Sequence, residues 1–531
     1  MIDALVAGGR VHPHLFIHCP GADADIATGL RTEILLSRLL LAAEVAALKA
    51  MARVARNQAW RTASLATGDT RLTQVFARHL RLVDEVTAAG GTDTAAPDVI
   101  LTDDASLTGR LVARFPGAEV LVIETRPRSV GAAHRIGFRE VLEGHDQTHF
   151  RILAFSADAP QGKLLFDGSN RTKLLYALNQ AALWDRIGSV LLSHFDHYRP
   201  LRERSLESLG PAPRAAASTA GTDVSLLDVL TYPFNRAGSA LRLMRDAQRG
   251  DRTWSVAVFE LPAHARSSAA GIDARDLEHS VQFIEAPPGS FYADPFLWRD
   301  ANDTLHCFVE DFVHAEGRAR ISVLRESAQG WECLGPVISE AFHLSFPFLF
   351  EYDGALFMCP ETYEANEIRV YRCLSFPMQW TLEKVVMKQV SAADTMLFEH
   401  EGRWWMLTNR DRGAAPDHQA ELHIYHAESP LSEQWTPLPG NPARVNSLGA
   451  RNGGLLRDAT GLYRCGQLQS MQAYGNGLEV FRITRLDPQG YDEESVYRLS
   501  PPDAWNATGT HTLGLCGNRG VVDLLGVREK T

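Results

Sequence analysis

The chain has 531 residues, of which 45% are hydrophobic and 22% charged, a balance that excludes global disorder and leaves room for two or three domains. A formal net charge of −11, with no long basic run, excludes wholesale binding to nucleic acid. The seven cysteines form no C-x-x-C pair and mostly lie in apolar runs, the usage of reduced thiols in a cytoplasmic protein.

The chain opens Met1-Ile-Asp-Ala-Leu-Val6, without the basic start or unbroken apolar core of a signal peptide. Its most apolar segment, Ile34 to Ala50, is interrupted by Arg38, Glu44 and Lys49 and falls short of the about 20 residues that a membrane helix needs. The sequence therefore predicts a cytoplasmic location and no transmembrane segment. Residues 1–205 are rich in Ala, Leu and Arg. A helical period runs from about Arg31 to Thr62, and Asp98–Leu101 and Glu119–Ile123 read as short buried strands separated by a helix. That is the rhythm of an α/β unit. Further strands are expected at Thr148–Phe155 and Gly162–Phe166, and a helix from about Thr172 to Ser193. The stretch Ser205–Val224, with Gly210-Pro-Ala-Pro213 and Ala215 to Gly221, is linker by composition. The expected division is an α/β domain over 1–205, a linker and connecting helix over 206–250, and an all-β domain over 251–531.

The all-β reading rests on a repeat. Tyr292-Ala-Asp-Pro-Phe-Leu-Trp298 returns as Ser345-Phe-Pro-Phe-Leu-Phe350, Ala393-Asp-Thr-Met-Leu-Phe398, Ala450-Arg-Asn-Gly-Gly-Leu455 and Thr510-His-Thr-Leu-Gly-Leu515. A strand-rich period of roughly 50 residues marks the blade of a β-propeller, and the recurrences predict five blades. A second apolar run follows each opening strand: Leu305–Glu310, Leu356–Glu361, Trp404–Asn409 and Leu462–Gln467. The turns between them, Asn302-Asp303, Asp353-Gly354, Glu401-Gly402 and Thr460-Gly461, supply hairpin residues. Third strands are expected at Ile321–Leu324, Ile368–Tyr371, Leu422–Tyr425 and Leu478–Phe481. Fourth strands open at Gly330-Trp331, Gln379-Trp380, Gln434-Trp435 and Gly490-Tyr491. The last repeat stops after its second strand. Trp254–Phe259 has the pattern of a third strand that comes too early, so it is expected to pair near Val521–Leu525 and close the ring.

In a propeller the first strand of each blade lines the channel, so equivalent positions converge on one axis. Here these are Asp294, Phe346, Asp394, Arg451 and His511. About 15 residues further on in the repeat, Glu310, Glu361, Asn409 and Gln467 also occupy equivalent places. Carboxylates and amides that converge on hydroxyls, with Phe346 as a face for a pyranose ring, form a candidate sugar site. Polar residues at such positions also serve only to cap strand ends or hold water. Of Glu310 and Asp311, neighbours on one strand, only one can face inward. No histidine pair has ligand spacing, so no metal is expected, and the sequence assigns no cofactor.

Pro97-Asp-Val-Ile-Leu101, Gly137 to Gly144 and Gly162-Lys-Leu-Leu-Phe166 resemble a formyltransferase-fold domain. That family's Asn-x-His is replaced by Glu124-Thr-Arg-Pro-Arg-Ser129, and Ala157-Asp-Ala-Pro160 resembles its acidic loop only loosely. The resemblance therefore implies a degenerate formyltransferase-like scaffold without activity. Ala293-Asp-Pro-Phe296, Phe346-Pro-Phe-Leu-Phe350, Pro360-Glu-Thr362, Trp404-Trp405 and Ala450-Arg-Asn-Gly-Gly454 resemble the N-terminal domain of the glucosamine inositolphosphorylceramide transferases and their bacterial relatives. In those relatives a formyltransferase-like half precedes a five-bladed propeller. More distantly the repeats are similar to five-bladed arabinanases and xylosidases.

By the arabinanase comparison Asp294 looks like a base and Asp394 like the carboxylate that orients it. Arg451-Asn452 stand where that comparison expects a Glu acid, leaving Glu361 to take the acid's part. A guanidinium does not protonate a leaving group, but it clamps carboxylate or phosphate. The resemblance implies a protein of glycan or glycolipid biosynthesis that transfers a glycosyl unit from an anionic or phosphorylated sugar bound at the propeller mouth, alone or with a partner glycosyltransferase. In that reading Asp294, Asp394 and Glu361 are catalytic, and Arg451, Asn452, Phe346, His511, Glu310, Asn409 and Gln467 bind substrate. The alternatives are a non-catalytic glycan-binding or scaffold protein and a glycoside hydrolase.

Overall fold

The computed structural model describes residues 16–19, 81–82, 99–102, 105–125, 137–196, 210–211, 226–248, 251–262, 271–272, 276–278, 280–410, 418–469 and 475–528. They fall into two compact units, one up to Leu241 and the other from Arg242. The helix expected between Arg31 and Thr62 lies outside the described residues.

The first unit contains a seven-stranded sheet. Phe16–Cys19, Val99–Thr102 and Glu119–Thr125 run parallel. Gln147–Phe155 and Lys163–Arg171 follow antiparallel. Ile100, Val120 and Val122, fully buried on consecutive strands, pack with Leu107 and Leu111 from the intervening helical segment. A helix expected from Thr172 spans Tyr176–Asp196, and the segment read as linker contributes Gly210–Pro211, which pairs with Lys163 and Leu164. The next helix is Leu226–Gln248. Its Val229 and Tyr232 pack on Phe138, Val141 and Tyr176. The Tyr232 hydroxyl accepts the N–H of Tyr176 at 2.7 Å.

The second unit has the arrangement of a five-bladed β-propeller. Blade 1 consists of Ser290–Arg299, Leu305–Val313, Arg318–Ser327 and Gly330–Ile338, paired in that order. Blade 2 runs from Ser345 to Lys388, blade 3 from Ala392 to Val445 and blade 4 from Leu448 to Leu499. The innermost strands contact one another around a ring, and apolar clusters fill the spaces between adjacent blades. Hairpins turn where the sequence supplied positive φ: Asp353 and Gly354 at 49° and 70°, Glu401 and Gly402 at 52° and 75°.

Blade 5 is assembled from both ends of the unit. Asp251–Glu260 lies beside Arg519–Arg528, with Val258 opposite Val521 and Trp254 opposite Leu525. The early third strand therefore closes the ring. Gln282–Ile284 provides the outer strand.

Blade 3 departs from expectation. Instead of a full fourth strand from Gln434 it has two short pieces, Thr436–Pro437 and Arg444–Val445. Pro437 and Pro442 have no N–H for a ladder. Between the pieces the Asn441 side chain substitutes for backbone: its Oδ1 accepts from Ile424 N at 3.0 Å and its Nδ2 donates to Ile424 O at 2.7 Å.

Candidate active site

Three inner strands bulge at the same place. Pairing slips after Ala293, Ser345 and Ala393, and the next residues, Asp294, Phe346 and Asp394, take left-handed φ of 48°, 46° and 46°. Asp tolerates this conformation; a bulky Phe rarely does, and residues so held cluster at functional sites. The bulge turns these side chains and their amides toward the axis, where the amides need acceptors.

Side chains from neighbouring blades supply them. Asp523 Oδ2 accepts from Asp294 N at 3.3 Å, Asp294 Oδ2 from Phe346 N at 3.2 Å, and Glu361 Oε2 from Asp394 N at 3.2 Å. Asn409 Oδ1 accepts from Asn452 N at 2.8 Å. This stitching explains why repeat positions deep in the channel are polar, and it corrects part of the sequence reading. Asn409 also donates to Glu421 O and Ala450 O, and Asn452 donates to Asp394 O and Leu407 O. Gln467 donates to Asp394 Oδ2 and to Asn452 O, and accepts from Gln469. These buried amides hold backbone and carboxylate in place rather than meeting a ligand. Phe346 is likewise no sugar platform, because its ring has no exposed surface and packs edge-on against Phe296 at 4.9 Å.

The charged groups do converge. Arg451 Nε donates to Asp394 Oδ2 at 2.6 Å and its Nη2 to Asp394 Oδ1 at 3.3 Å, a two-point pair, while Nη2 also reaches Glu361 Oε2 at 3.4 Å. The Asp394 side chain is 1% exposed and that of Arg451 14%. The guanidinium is thus committed to the protein's own carboxylates. His511 stacks on Trp254 with ring centres 4.0 Å apart, and its Nδ1 lies 2.5 Å from Asp523 Oδ2 and 3.5 Å from Asp294 Oδ1. Thr512 Oγ1 donates to Asp294 Oδ1 at 2.7 Å. Of the Glu310–Asp311 pair, Asp311 turns away from the channel to accept from Ser322 and Arg320, and Glu310 is the one that joins the axis group.

Burial pushes the Glu310 carboxyl well above its ordinary range, and the neighbouring Asp294, Glu361, Asp523 and Asp394 carboxylates push it further. Glu361 is raised by burial and by Asp394, with Arg451 opposing. Asp294 is pushed up to about 6 by burial, against the pull of His511 and with the push of Asp394 and Asp523. Burial opposes the charged form of His511, but Asp523 and Asp294 outweigh it and hold the imidazole above its ordinary value. Burial likewise opposes ionisation of Asp523, but His511 and the backbone N–H groups at His511 and Thr512 bring it below its ordinary value. Neighbouring carboxyls are thereby pushed apart, the condition for one to give a proton while another receives it.

Asp294, His511 and Asp523 also place one potential ligand atom each within 4.8 Å of one another, which makes them the group among the described residues best able to hold a metal ion. Asp523 Oδ1 is already occupied by the N–H groups of His511 and Thr512, and its Oδ2 by His511 Nδ1. A cation would have to displace that proton.

Sequence reasoning missed Asp523 and the mouth of the channel. Asp523 interrupts the apolar run Val521 to Leu525, which was the available signal. At the mouth, Phe291 and Phe312 stack at 4.8 Å and 5°, with His314 edge-on to Phe312. Tyr363 lies 5.3 Å from His418. None of these belongs to the repeat motif.

Residues 265–516 match the family model described as "Glucosamine inositolphosphorylceramide transferase 1, N-terminal". This is the family that the repeat motifs resemble. Relatives named Glucosamine inositolphosphorylceramide transferase 1 are 38% identical over 234 residues in Oryza sativa subsp. japonica and 36% identical over 235 residues in Arabidopsis thaliana. The matches cover 42% of this chain but 31% and 30% of those relatives, so the chain spans under a third of their length. Among solved structures, a family 117 glycoside hydrolase of Zobellia galactanivorans aligns with TM-score 0.34 and 11% identity over 52% of this chain and 90% of its own. A Cellvibrio cellulosa α-L-arabinanase aligns with TM-score 0.31 and 8% identity over 38% and 77%.

Proposed function

We propose that this protein acts in the assembly of a glycan or glycolipid, and that the propeller mouth binds a saccharide and transfers a glycosyl unit from it. The observation that carries this reading is the set of carboxyl groups from successive blades, Asp294, Glu310, Glu361 and Asp394, gathered on one axis, with burial holding Asp294, Glu310 and Glu361 above their ordinary range. Glycosyl transfer needs a proton donor for the leaving oxygen and an acceptor for the incoming hydroxyl's proton. Asp294 is the proton acceptor. Asp394, fixed by Arg451, Gln467 and Asn452, shapes and tunes the site, and Glu361 links it to the next blade. The relatives' name, which includes glucosamine, favours an amino sugar as the transferred unit.

An anionic or phosphorylated donor requires Arg451 to exchange part of its pairing with Asp394 for the ligand. A neutral saccharide requires no such exchange in a site with this many carboxyls, and is the form the geometry favours. Residues 1–205 are proposed as a formyltransferase-like scaffold without activity, 206–250 as connection and 251–531 as the working domain, in a cytoplasmic protein.

The test is a panel of paired methyl and 4-nitrophenyl glycosides of glucosamine, glucose, galactose and arabinose, with glucosamine 1-phosphate. Binding is followed by thermal shift and calorimetry, and products are resolved by mass spectrometry with and without an added sugar acceptor. Transfer to the acceptor is expected, and D294N should bind but not turn over. Release of free sugar alone would replace transfer by hydrolysis, binding without turnover would leave a glycan-binding module, and no binding at all would end the saccharide reading.

A further inference from the structure

Glu310 occupies the same place in its repeat as Glu361, Asn409 and Gln467, yet it is not used as they are. Glu361 and Asn409 are spent on amides of the next blade, those of Asp394 and Asn452, and Gln467 on the Asp394 carboxylate of the preceding blade and the Asn452 carbonyl of its own. The amide that Glu310 would cap by analogy, that of Phe346, donates to Asp294 instead. Glu310 is buried, and its one polar partner among the described residues is His343, whose Nε2 lies 3.4 Å from Glu310 Oε1.

The state of that imidazole is fixed by its other side. Ala319 N donates to His343 Nδ1 at 3.2 Å, so in the neutral ring the proton sits on Nε2, the nitrogen 3.4 Å from Glu310 Oε1. Burial lowers the proton affinity of His343 and keeps it neutral. Its own N–H donates to Glu364 Oε2 at 3.0 Å, which holds the residue at the start of blade 2. Two residues beyond Glu310 on the same strand face, Phe312 lies half-buried at the mouth, stacked on Phe291 and 6.0 Å from His343. Glu310 thus stands between the axis carboxylates and an aromatic surface of the kind that packs against a sugar ring.

We propose that Glu310 is the catalytic proton donor of this site, held by His343 as its positioning residue, with the leaving group lying against Phe312 and Phe291. The inference rests on the saccharide reading above and moves the acid's role from Glu361 to Glu310. The bond between the anomeric carbon and the leaving oxygen breaks with its electron pair going to oxygen, and that oxygen takes the proton of Glu310. The acceptor hydroxyl forms the new bond to the same carbon and gives its proton to Asp294. Solvent then removes the proton from Asp294 and restores the one on Glu310. Burial, and then the Asp294, Glu361, Asp523 and Asp394 carboxylates beside it, favour the protonated form of Glu310 before the step. Afterwards the Nε2–H of His343 stabilises the new carboxylate. His343 does not itself carry the proton away, because its Nδ1 is occupied by Ala319 N–H.

The experiment uses the full chain and the paired methyl and 4-nitrophenyl glycosides. A nitrophenolate leaves without protonation, whereas a methoxide does not. E310Q should therefore lose about 10²–10⁴-fold in kcat/KM on the methyl glycoside and less than about tenfold on its nitrophenyl partner. H343L should show a smaller loss with the same dependence on leaving group, and H343Q, which places an amide N–H near the Nε2 position, should recover most of it. E310D, which keeps a proton but sets it back by one methylene, gives the same comparison if E310Q does not fold. Equal losses on both glycosides, or none, would overturn the assignment while leaving the saccharide reading intact. Binding without turnover by the wild type would overturn the donor role together with transfer but leave saccharide binding, and neither binding nor turnover would overturn the saccharide reading as well.

Discussion

Glu310→Gln should stabilise the protein, and increasingly so as pH rises. Glu310 is buried with four carboxylates acting on it, and the imidazole beside it is neutral. Its carboxyl binds a proton more tightly in the folded protein than its ordinary value of 4.5. A group raised in this way contributes stability that is fully present below the unfolded-chain value and is lost as pH climbs through the folded value. Each pH unit between the two costs the wild type about 1.4 kcal/mol, or roughly 3–5 °C of melting temperature for a domain of this size. Gln keeps the size of the side chain and never ionises, so it escapes that cost. Thermal unfolding of both proteins from pH 4 to pH 8 should give coincident melting temperatures at pH 4 and a gap that opens from about pH 5 and then levels off. Parallel curves, or a variant less stable at pH 8, would refute the account of Glu310 as a buried acid held neutral by its neighbours.

Arg451→Met removes the two-point partner of a carboxylate that is 1% exposed and should cost about 3–5 kcal/mol in denaturant unfolding. Arg451→Lys should recover only part of this because the fork is lost, and a loss under about 1 kcal/mol for the Met variant would show the pair to be dispensable. Gly454→Ala places a Cβ 2.2 Å from the carbonyl oxygen of Leu513 at a φ of +135°, so it should cost more than about 4 kcal/mol or yield insoluble protein; a wild-type melting temperature would mean that the two inner strands can part. Incubation with formyltetrahydrofolate and amino sugars should give no formylated product above the no-enzyme control, and robust formylation would contradict the degenerate-scaffold reading.

The blades were legible because each repeats an apolar run, a turn with Gly, Asn or Asp, and a second run ending on a polar residue. Even the displaced strand Trp254–Phe259 could be paired from its alternation. The fourth strand of blade 3 was not, because Trp435 looks like the start of a strand while Pro437 and Pro442 deny it a ladder and Asn441 replaces it from a side chain. Register also predicted one group of Asp294, Asp394 and Arg451; Arg451 does pair with Asp394, and Asp394 lies near enough to act on Asp294 through its charge. It could not say what each polar group meets. Glu310, Glu361, Asn409 and Gln467 have the same register, and whether such a residue caps a neighbouring amide or is left for chemistry depends on the bulge of the next blade. His343 was invisible for another reason, since it precedes the repeat motif and is brought in by a hydrogen bond to Ala319 rather than by periodicity.

Blade 5 draws its strands from the two ends of the propeller, and this sets an order of events during synthesis. Val258 is made early and finds its partner, Val521, only about 260 residues later, which at about 5–20 residues per second is a wait of roughly 13–50 s. Throughout that time the strand Asp251–Glu260 has Gln282–Ile284 on one side and a bare, apolar edge on the other. Blades 1 to 4 can form by local hairpin pairing as they emerge, but the last seam is the most non-local contact of the domain and comes after all of them. The nascent chain therefore spends its most aggregation-prone interval as an open arc whose bare edge lies on the N-terminal side of the propeller, not the C-terminal side.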